Sequence, residues 1–405
     1  METLTLLAQG FAVAATPENL MIALIGCFLG TIVGLLPGLG PINGVAILLP
    51  IAFAMKLPPE SALILLCAVY AGCEYGGRIS AILLNVPGDA GAVMTTMDGY
   101  PMAKRGEAGA AIGLTTLASF LGGLMGIAAL ALGAPAIAEV AILFAPRDYL
   151  LLAMLGLLLV GSLSGESLAK GLFAAGLGVT LGLVGLDPMT AEPRFTYGSV
   201  ELLGGIPYIA AMIGFFGAAE ALSQLRLPDT ETVRQRIGRI VPPRAVLLRH
   251  LPLALRASGI GVAIGALPGT GGDIAALMAY DHARRSTRAP SQPFGTGAEE
   301  GVVAPEAANN AAVGGAYVPM LTLGIPGDAV TAVLIGALFV HGLKPGPMLM
   351  IETPHLFWFT VGNLLLANLA LLAFGLAGAR AFARIAEVPR AVLVPLILVL
   401  CVVGT

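Results

Sequence analysis

Gly261–Gly272, GVAIGALPGTGG, followed by Val302–Ala329, VVAPEAANNAAVGGAYVPMLTLGIPGDA, is apolar enough to lie in a membrane yet full of residues that break helices. It is also a second copy. Gly30–Pro41 reads GTIVGLLPGLGP, and Gly76–Ala90 reads GGRISAILLNVPGDA. In both copies a GxxxG precedes Pro-Gly-x-Gly: Gly30, Gly34, Pro37, Gly38 and Gly40 against Gly261, Gly265, Pro268, Gly269 and Gly271. In both, a later glycine leads at one spacing to Pro-Gly-Asp: Gly76 to Pro87, Gly88 and Asp89, and Gly315 to Pro326, Gly327 and Asp328. Duplicated, interrupted apolar segments in corresponding halves point to a binding site built from broken helices.

The rest of the composition agrees. Of 405 residues, 57% are hydrophobic and 11% charged, and the mean hydropathy is +0.90. A water-soluble domain carries roughly 25% charged residues, so this chain cannot clothe a water-facing surface and is read as an all-α polytopic membrane protein. The formal net charge of −3 says nothing of nucleic acid, and no nucleic-acid partner is expected. The 54 glycines sit inside Leu, Ala and Val runs, where they serve close helix packing and helix breaks. Cys27, Cys67, Cys73 and Cys401 are scattered and have no metal-ligand spacing, so they read as small buried hydrophobes. The four histidines form no metal-ligand set either; no cofactor is expected, and no metal other than Na⁺ at the hairpin tips, where a broken helix end presents carbonyls.

Leu20–Met55 is too long for one crossing of a ~30 Å core, and the Pro37-Gly38 break divides it into Leu20–Leu36 and Asn43–Met55. Ser61–Cys73 runs toward a second break at Gly76-Gly77, and Asp98–Glu107 reads as a polar loop. These segments make repeat one, residues 1–133, with hairpins at Pro37 and Pro87. Residues 134–225 hold plainer scaffold helices: Pro135–Phe144, Tyr149–Leu163, Leu168–Leu186 and Leu202–Leu225. Residues 226–250 are an Arg-rich cytoplasmic connector, and 251–378 are repeat two, with hairpins at Pro268 and Pro326. Residues 379–405 form a C-terminal segment that reads as truncated.

Charge placement orients the copies. After the first hairpin, copy one has only Lys56; after the second it has Lys104 and Arg105. Copy two has Arg284, Arg285 and Arg288 after its first hairpin and only Lys344 after its second. Cytoplasmic loops collect Lys and Arg, so the copies are expected to face opposite ways: two inverted repeats with re-entrant or broken helix hairpins around a midplane substrate site.

A helix start exposed by such a break presents N–H donors and a positive dipole end, which suit a carboxylate. The substrate-binding residues expected are Gly38, Leu39, Gly40, Pro41 and Asn43 on one tip, and Gly269, Thr270, Gly271 and Gly272 on the other. Asn309 and Asn310, amides in an apolar helix, join them. For the amides, interhelical hydrogen bonding is an equal alternative. Ion coupling is assigned to Asn85, Asp89, Asp273 and Asp328. The competing reading of Asp89 and Asp328 is helix capping. Arg78 either meets an anionic substrate or pairs with Glu74 four residues earlier. Glu299, Glu300 and Glu306 flank Pro305 and read as an interfacial loop or gate rather than as buried acids.

Phe294–Leu349, together with Leu36–Pro50 and Asn85–Gly113, resembles the large permease subunit of the tripartite tricarboxylate transporters, the TctA family. The resemblance covers nearly the whole chain. It implies secondary uptake of a carboxylate such as citrate, driven by Na⁺ or H⁺, in the bacterial inner membrane. It also implies a periplasmic solute-binding protein and a small four-helix membrane subunit. Arg78 departs from the small polar residue expected at its place, and family members continue beyond Thr405. The rival classes are an integral-membrane enzyme, for which no nucleophile–base pair or HExxH motif is found, and a channel or structural membrane subunit.

Overall fold

The computed structural model describes residues 2–36, 39–141, 167–187, 192–206, 213–219 and 237–385, with scattered positions between and after them. The helices of the first half are α1 (Glu2–Ala14), α2 (Pro17–Leu35), α3 (Gly40–Ala54), α4 (Pro59–Leu84), α5 (Ala92–Met102) and α6 (Ala108–Ala141). Then come α7 (Leu168–Gly182) and a short antiparallel pair, β1 (Gly185–Leu186) with β2 (Pro193–Arg194). The second half holds α8 (Arg244–Gly265), α9 (Gly271–Ser286), α10 (Glu299–Leu323), α11 (Ala329–Val340), α12 (Leu349–Glu352), α13 (Pro354–Ala373) and α14 (Ala379–Ile385). Among the described residues, five helical stretches are long and apolar enough to cross a membrane: Pro17–Leu35, Pro59–Leu84, Ala92–Ala141, Arg244–Gly265 and Pro354–Arg384. The chain is an all-α polytopic membrane protein.

Two helices, α4 and α10, form the centre and are buried along almost their whole length. Each is gripped by a helix of its own half, α2 for α4 and α8 for α10. A methyl on Gly30 or Gly34 of α2 would collide with the Val69 or Cys73 carbonyl of α4. A methyl on Gly261 or Gly265 of α8 would collide with the Ala308 or Ala312 carbonyl of α10. The duplicated GxxxG motifs are therefore backbone contact faces, where small residues replace side-chain packing. The central helices also stop alike. Asn85 (φ 58°) and Gly324 (φ 71°) are left-handed caps, and each is followed by an X-Pro pair that cannot continue the helix.

The halves are laced together rather than set side by side. Helix α6 packs on α10, and α13 packs on α4. At one end, Asp98 accepts the N–H groups of Gly295, Gly297 and Ala298 at 2.8 Å each, and Arg105 donates to the carbonyls of Thr296 and Gly297. That end brings Lys104 and Arg105 beside the loop that follows Arg284, Arg285 and Arg288. At the other end, the Phe53 ring lies 6.3 Å from the His341 ring, so the segments leading to Lys56 and Lys344 are neighbours.

Several boundaries differ from the expectations. No break occurs at Gly76-Gly77: α4 runs through it, because those glycines fit against the α2 backbone and Gly88 instead of turning the chain. Asp98–Glu107 is helix α5 and a π-helical turn leading into α6, not a loop; Gly106 (φ 84°) marks the kink. Helix α6 crosses the expected 133/134 boundary and takes in 135–141. The connector ends earlier than expected, since Arg244–His250 already belong to α8 with Pro243 as its N-cap residue. Most of Tyr149–Leu163, much of Leu202–Leu225, and Arg226, Arg234 and Arg236 lie outside the described residues.

Candidate functional site

The tips of the two halves meet at one cavity of about 530 Å³. Leu39, Gly40, Pro41, Ile42 and Asn43 line it from the first tip, and Thr270, Gly271, Gly272 and Asp273 from the second. The Pro-Gly-Asp turns add Gly88, Asp89 and Ala90 on one side and Asp328, Ala329 and Val330 on the other. Tyr70 and Glu74 of α4 and Phe215 and Ala219 complete the wall. Gly40 (φ 60°) and Gly271 (φ 68°) are the first residues of α3 and α9. That backbone conformation suits glycine, and it swings each helix start onto the cavity. Helix α11 also begins at the wall, at Ala329, and α5 begins at Ala92, two residues beyond Ala90. Four helix starts therefore surround one space, and two of them, those of α3 and α9, carry no side-chain cap, an arrangement that suits a bound anion.

Most of the residues singled out from sequence come together here, but not all. Gly38 lies outside the described residues. Gly269 sits behind the wall, its N–H donating to the Gly327 carbonyl at 2.9 Å. Asn85 is the left-handed cap of α4 and does not line the cavity. Asn310 turns away: its amide donates to the Glu306 carbonyl at 3.2 Å, and it borders a separate small pocket with Ala71, Gly123 and Asn368. Adjacent helical residues point about 100° apart, so the Asn309-Asn310 pair cannot serve one site. Asn309 remains near the cavity, its Oδ1 against Gly91 and Gly272.

Asp89 and Asp328 both cap helices. Asp328 Oδ1 accepts the Thr331 N–H at 2.7 Å, and the Thr331 hydroxyl accepts the Asp328 N–H at 2.9 Å, a reciprocal capping box. Its Oδ2 accepts the Tyr70 hydroxyl at 2.6 Å. Asp89 Oδ1 accepts the Ala92 N–H at 2.9 Å.

Behind the cavity lies a charge cluster that sequence reasoning saw only in part. Arg78 is 0% exposed. It pairs with Glu74 at 2.8 Å, as the i,i+4 spacing suggested, but also with Asp89 at 2.5 Å and Glu306 at 3.0 Å. Glu306 is 1% exposed and also accepts hydrogen bonds from Thr95 and Ser119. It is a buried acid, not an interfacial one. Pro305 made the segment look like a loop, yet proline is accommodated within α10. The available signal was the isolation of one acid in a run of small apolar residues, as with Arg78. Glu300 is buried as well, held by Ser291 and Arg249. Only Glu299 is partly exposed, and it meets His250 Nε2 at 2.8 Å. Among the described residues no group of three or more His, Cys, Asp or Glu side chains forms a metal centre.

Comparison with known proteins agrees with this architecture. The family described as "Tripartite tricarboxylate transporter TctA family" matches residues 20–405. An uncharacterized 52.8 kDa protein in the TAR-I ttuC' 3'region of Agrobacterium vitis is 37% identical over 405 residues, covering 100% of this chain and 80% of that protein. An uncharacterized protein in the TAR-II ttuC' 3'region of the same organism is 35% identical over 144 residues, covering 36% of this chain and 59% of that protein. No solved structure matches. With the match running through both tips, the central helices and the Pro-Gly-Asp turns, this chain belongs to the tripartite tricarboxylate transporter TctA family.

Proposed function

We propose that this chain is the permease of a secondary uptake system that carries a carboxylate anion across the bacterial inner membrane, driven by Na⁺ or H⁺. A periplasmic solute-binding protein delivers the substrate, and a small four-helix membrane subunit completes the assembly. The observation that carries this reading is the convergence of four helix starts, from both halves, on one 530 Å³ cavity. A cavity of this size accepts a small multivalent anion, and the starts of α3 and α9, which carry no side-chain cap, supply N–H donors without a buried cation facing the ligand.

Alternating access follows from the same geometry. The halves act as inverted repeats, and one rocks against the other about the shared cavity. Contacts of Asp98 and Arg105 with the 287–298 segment would close the cytoplasmic side, where the two cation-rich loops sit together, in keeping with the positive-inside bias.

The test is uptake of labelled citrate and related di- and tricarboxylates into vesicles holding the full assembly. Imposed Na⁺ and H⁺ gradients are compared with none. Uptake should require a gradient and the binding protein. Gly271→Val, which places a branched side chain at a left-handed helix start on the cavity wall, should abolish it with insertion intact. Gradient-independent flux would overturn symport.

A further inference from the structure

Asn309 is 1% exposed. Its Nδ2 donates to Glu74 Oε2. A carboxylate only accepts, so this contact sets the amide orientation and directs Oδ1 the other way. There Oδ1 finds no hydrogen-bond partner. A buried carbonyl left unsatisfied costs about 1–3 kcal/mol, so an unpaired oxygen at the centre of a well-packed protein marks a place where something else binds.

What faces it is more acceptor. A methyl placed on Gly91 would sit 2.7 Å from Asn309 Oδ1, 3.2 Å from Asp89 Oδ1 and 3.2 Å from Asp273 Oδ1. Three side-chain oxygens thus crowd together beside Gly91, where only a residue without a side chain fits. The matching place in the other half shows what is missing. The register of the repeated motifs sets Tyr70 opposite Asn309 and Asp328 opposite Asp89. There the Tyr70 hydroxyl donates to Asp328 at 2.6 Å, and acceptor meets donor. Ile42 takes the place of Asp273 there. At Asn309 the donor has become an acceptor and a second carboxylate has been added.

We propose that Asn309 Oδ1, Asp89 Oδ1 and Asp273 Oδ1 bind one Na⁺ ion beside Gly91. Oxygen-only ligands are those of a hard cation. The lack of a His or Cys partner, and of a third carboxylate there, argues for a monovalent ion. The local charge agrees: Glu74, Asp89 and Glu306 already share the single guanidinium of Arg78, and Asp273 joins none of those pairs. Asp89 and Asp273 also line the cavity, so water or the carboxylate itself completes the coordination. The ion thereby offsets the charge of the anion next to it. The role as coupling ion rests on the uptake reading above; the site itself does not.

The full chain, purified in detergent, is titrated with NaCl against KCl at constant ionic strength, reading thermal unfolding and ²²Na⁺ binding. Na⁺ should stabilise the wild type and K⁺ should not. Asn309→Ala, Asp273→Asn and Gly91→Ala, whose methyl would press on all three oxygens, should each weaken Na⁺ binding by about tenfold or more. Asn310→Ala, one residue away on another face of α10, should bind Na⁺ as the wild type does. Folded variants that keep wild-type Na⁺ affinity, or a wild type that does not distinguish Na⁺ from K⁺, overturn the site. Na⁺ binding lost in the three variants upholds it even where no carboxylate is transported, a result that would sink only the uptake reading.

Discussion

Set α4 against α10 in the register of their shared motifs, and Arg78 falls opposite Tyr317 while Cys67 falls opposite Glu306. The two halves then make one contact twice. In one instance Arg78 of α4 grips Glu306 of α10 through an ion pair at 3.0 Å. In the other, the Tyr317 hydroxyl of α10 donates to Cys67 Sγ of α4 at 2.9 Å. The backbone faces match closely: Val69 and Cys73 meet Gly30 and Gly34 as Ala308 and Ala312 meet Gly261 and Gly265. Duplication kept the scaffold and let the polar chemistry drift apart. All the charge of this contact ended in one of its two instances, behind the Pro87 turn and beside Asn309.

That asymmetry can be broken in steps. Arg78→Leu should do the most damage, because it leaves Glu74, Asp89 and Glu306 buried without their cation; a loss of about 3–5 kcal/mol is expected, read as a collapse of the unfolding midpoint in detergent. Gly34→Ala and Gly265→Ala probe the symmetric part. Both press a methyl into a backbone carbonyl, so both should cost about 1–3 kcal/mol, and by similar amounts. Widely unequal values would show that the halves pack less alike than their contacts indicate. Asp328→Ala removes a capping box and should cost about 0.5–2 kcal/mol. Tyr317→Phe removes only the hydroxyl–thiol contact and should cost about 0.5–1.5 kcal/mol. If it rivals Arg78→Leu, the charge has not been concentrated where the geometry places it.

Much of the site could be read in the chain beforehand, for reasons visible in particular residues. Pro-Gly-x-Gly and Pro-Gly-Asp announce their turns locally, because proline and glycine restrict or free the backbone wherever they stand. The residues that line the cavity from Leu39 to Asn43 and from Thr270 to Asp273 follow directly from those turns. The i,i+4 spacing likewise exposed the Arg78–Glu74 pair. Glu306 was missed because its partner is 228 positions away. Asn310 was misplaced because adjacency in sequence is not adjacency on a helix face. Gly76-Gly77 was misread because a glycine pair signals either a break or a close contact, and only the neighbouring α2 backbone selects contact.

The chain by itself determined that it lies in a membrane, that it holds two copies of one plan, and that each copy turns at its Pro-Gly-Asp motif. Those are matters of hydropathy and local backbone sterics, which need no partner to act. Which oxygens share a cation, which acid is buried and which amide faces the cavity depended on how α4 and α10 lie against each other. Electrostatics and packing between segments far apart in sequence exist only once the halves are assembled.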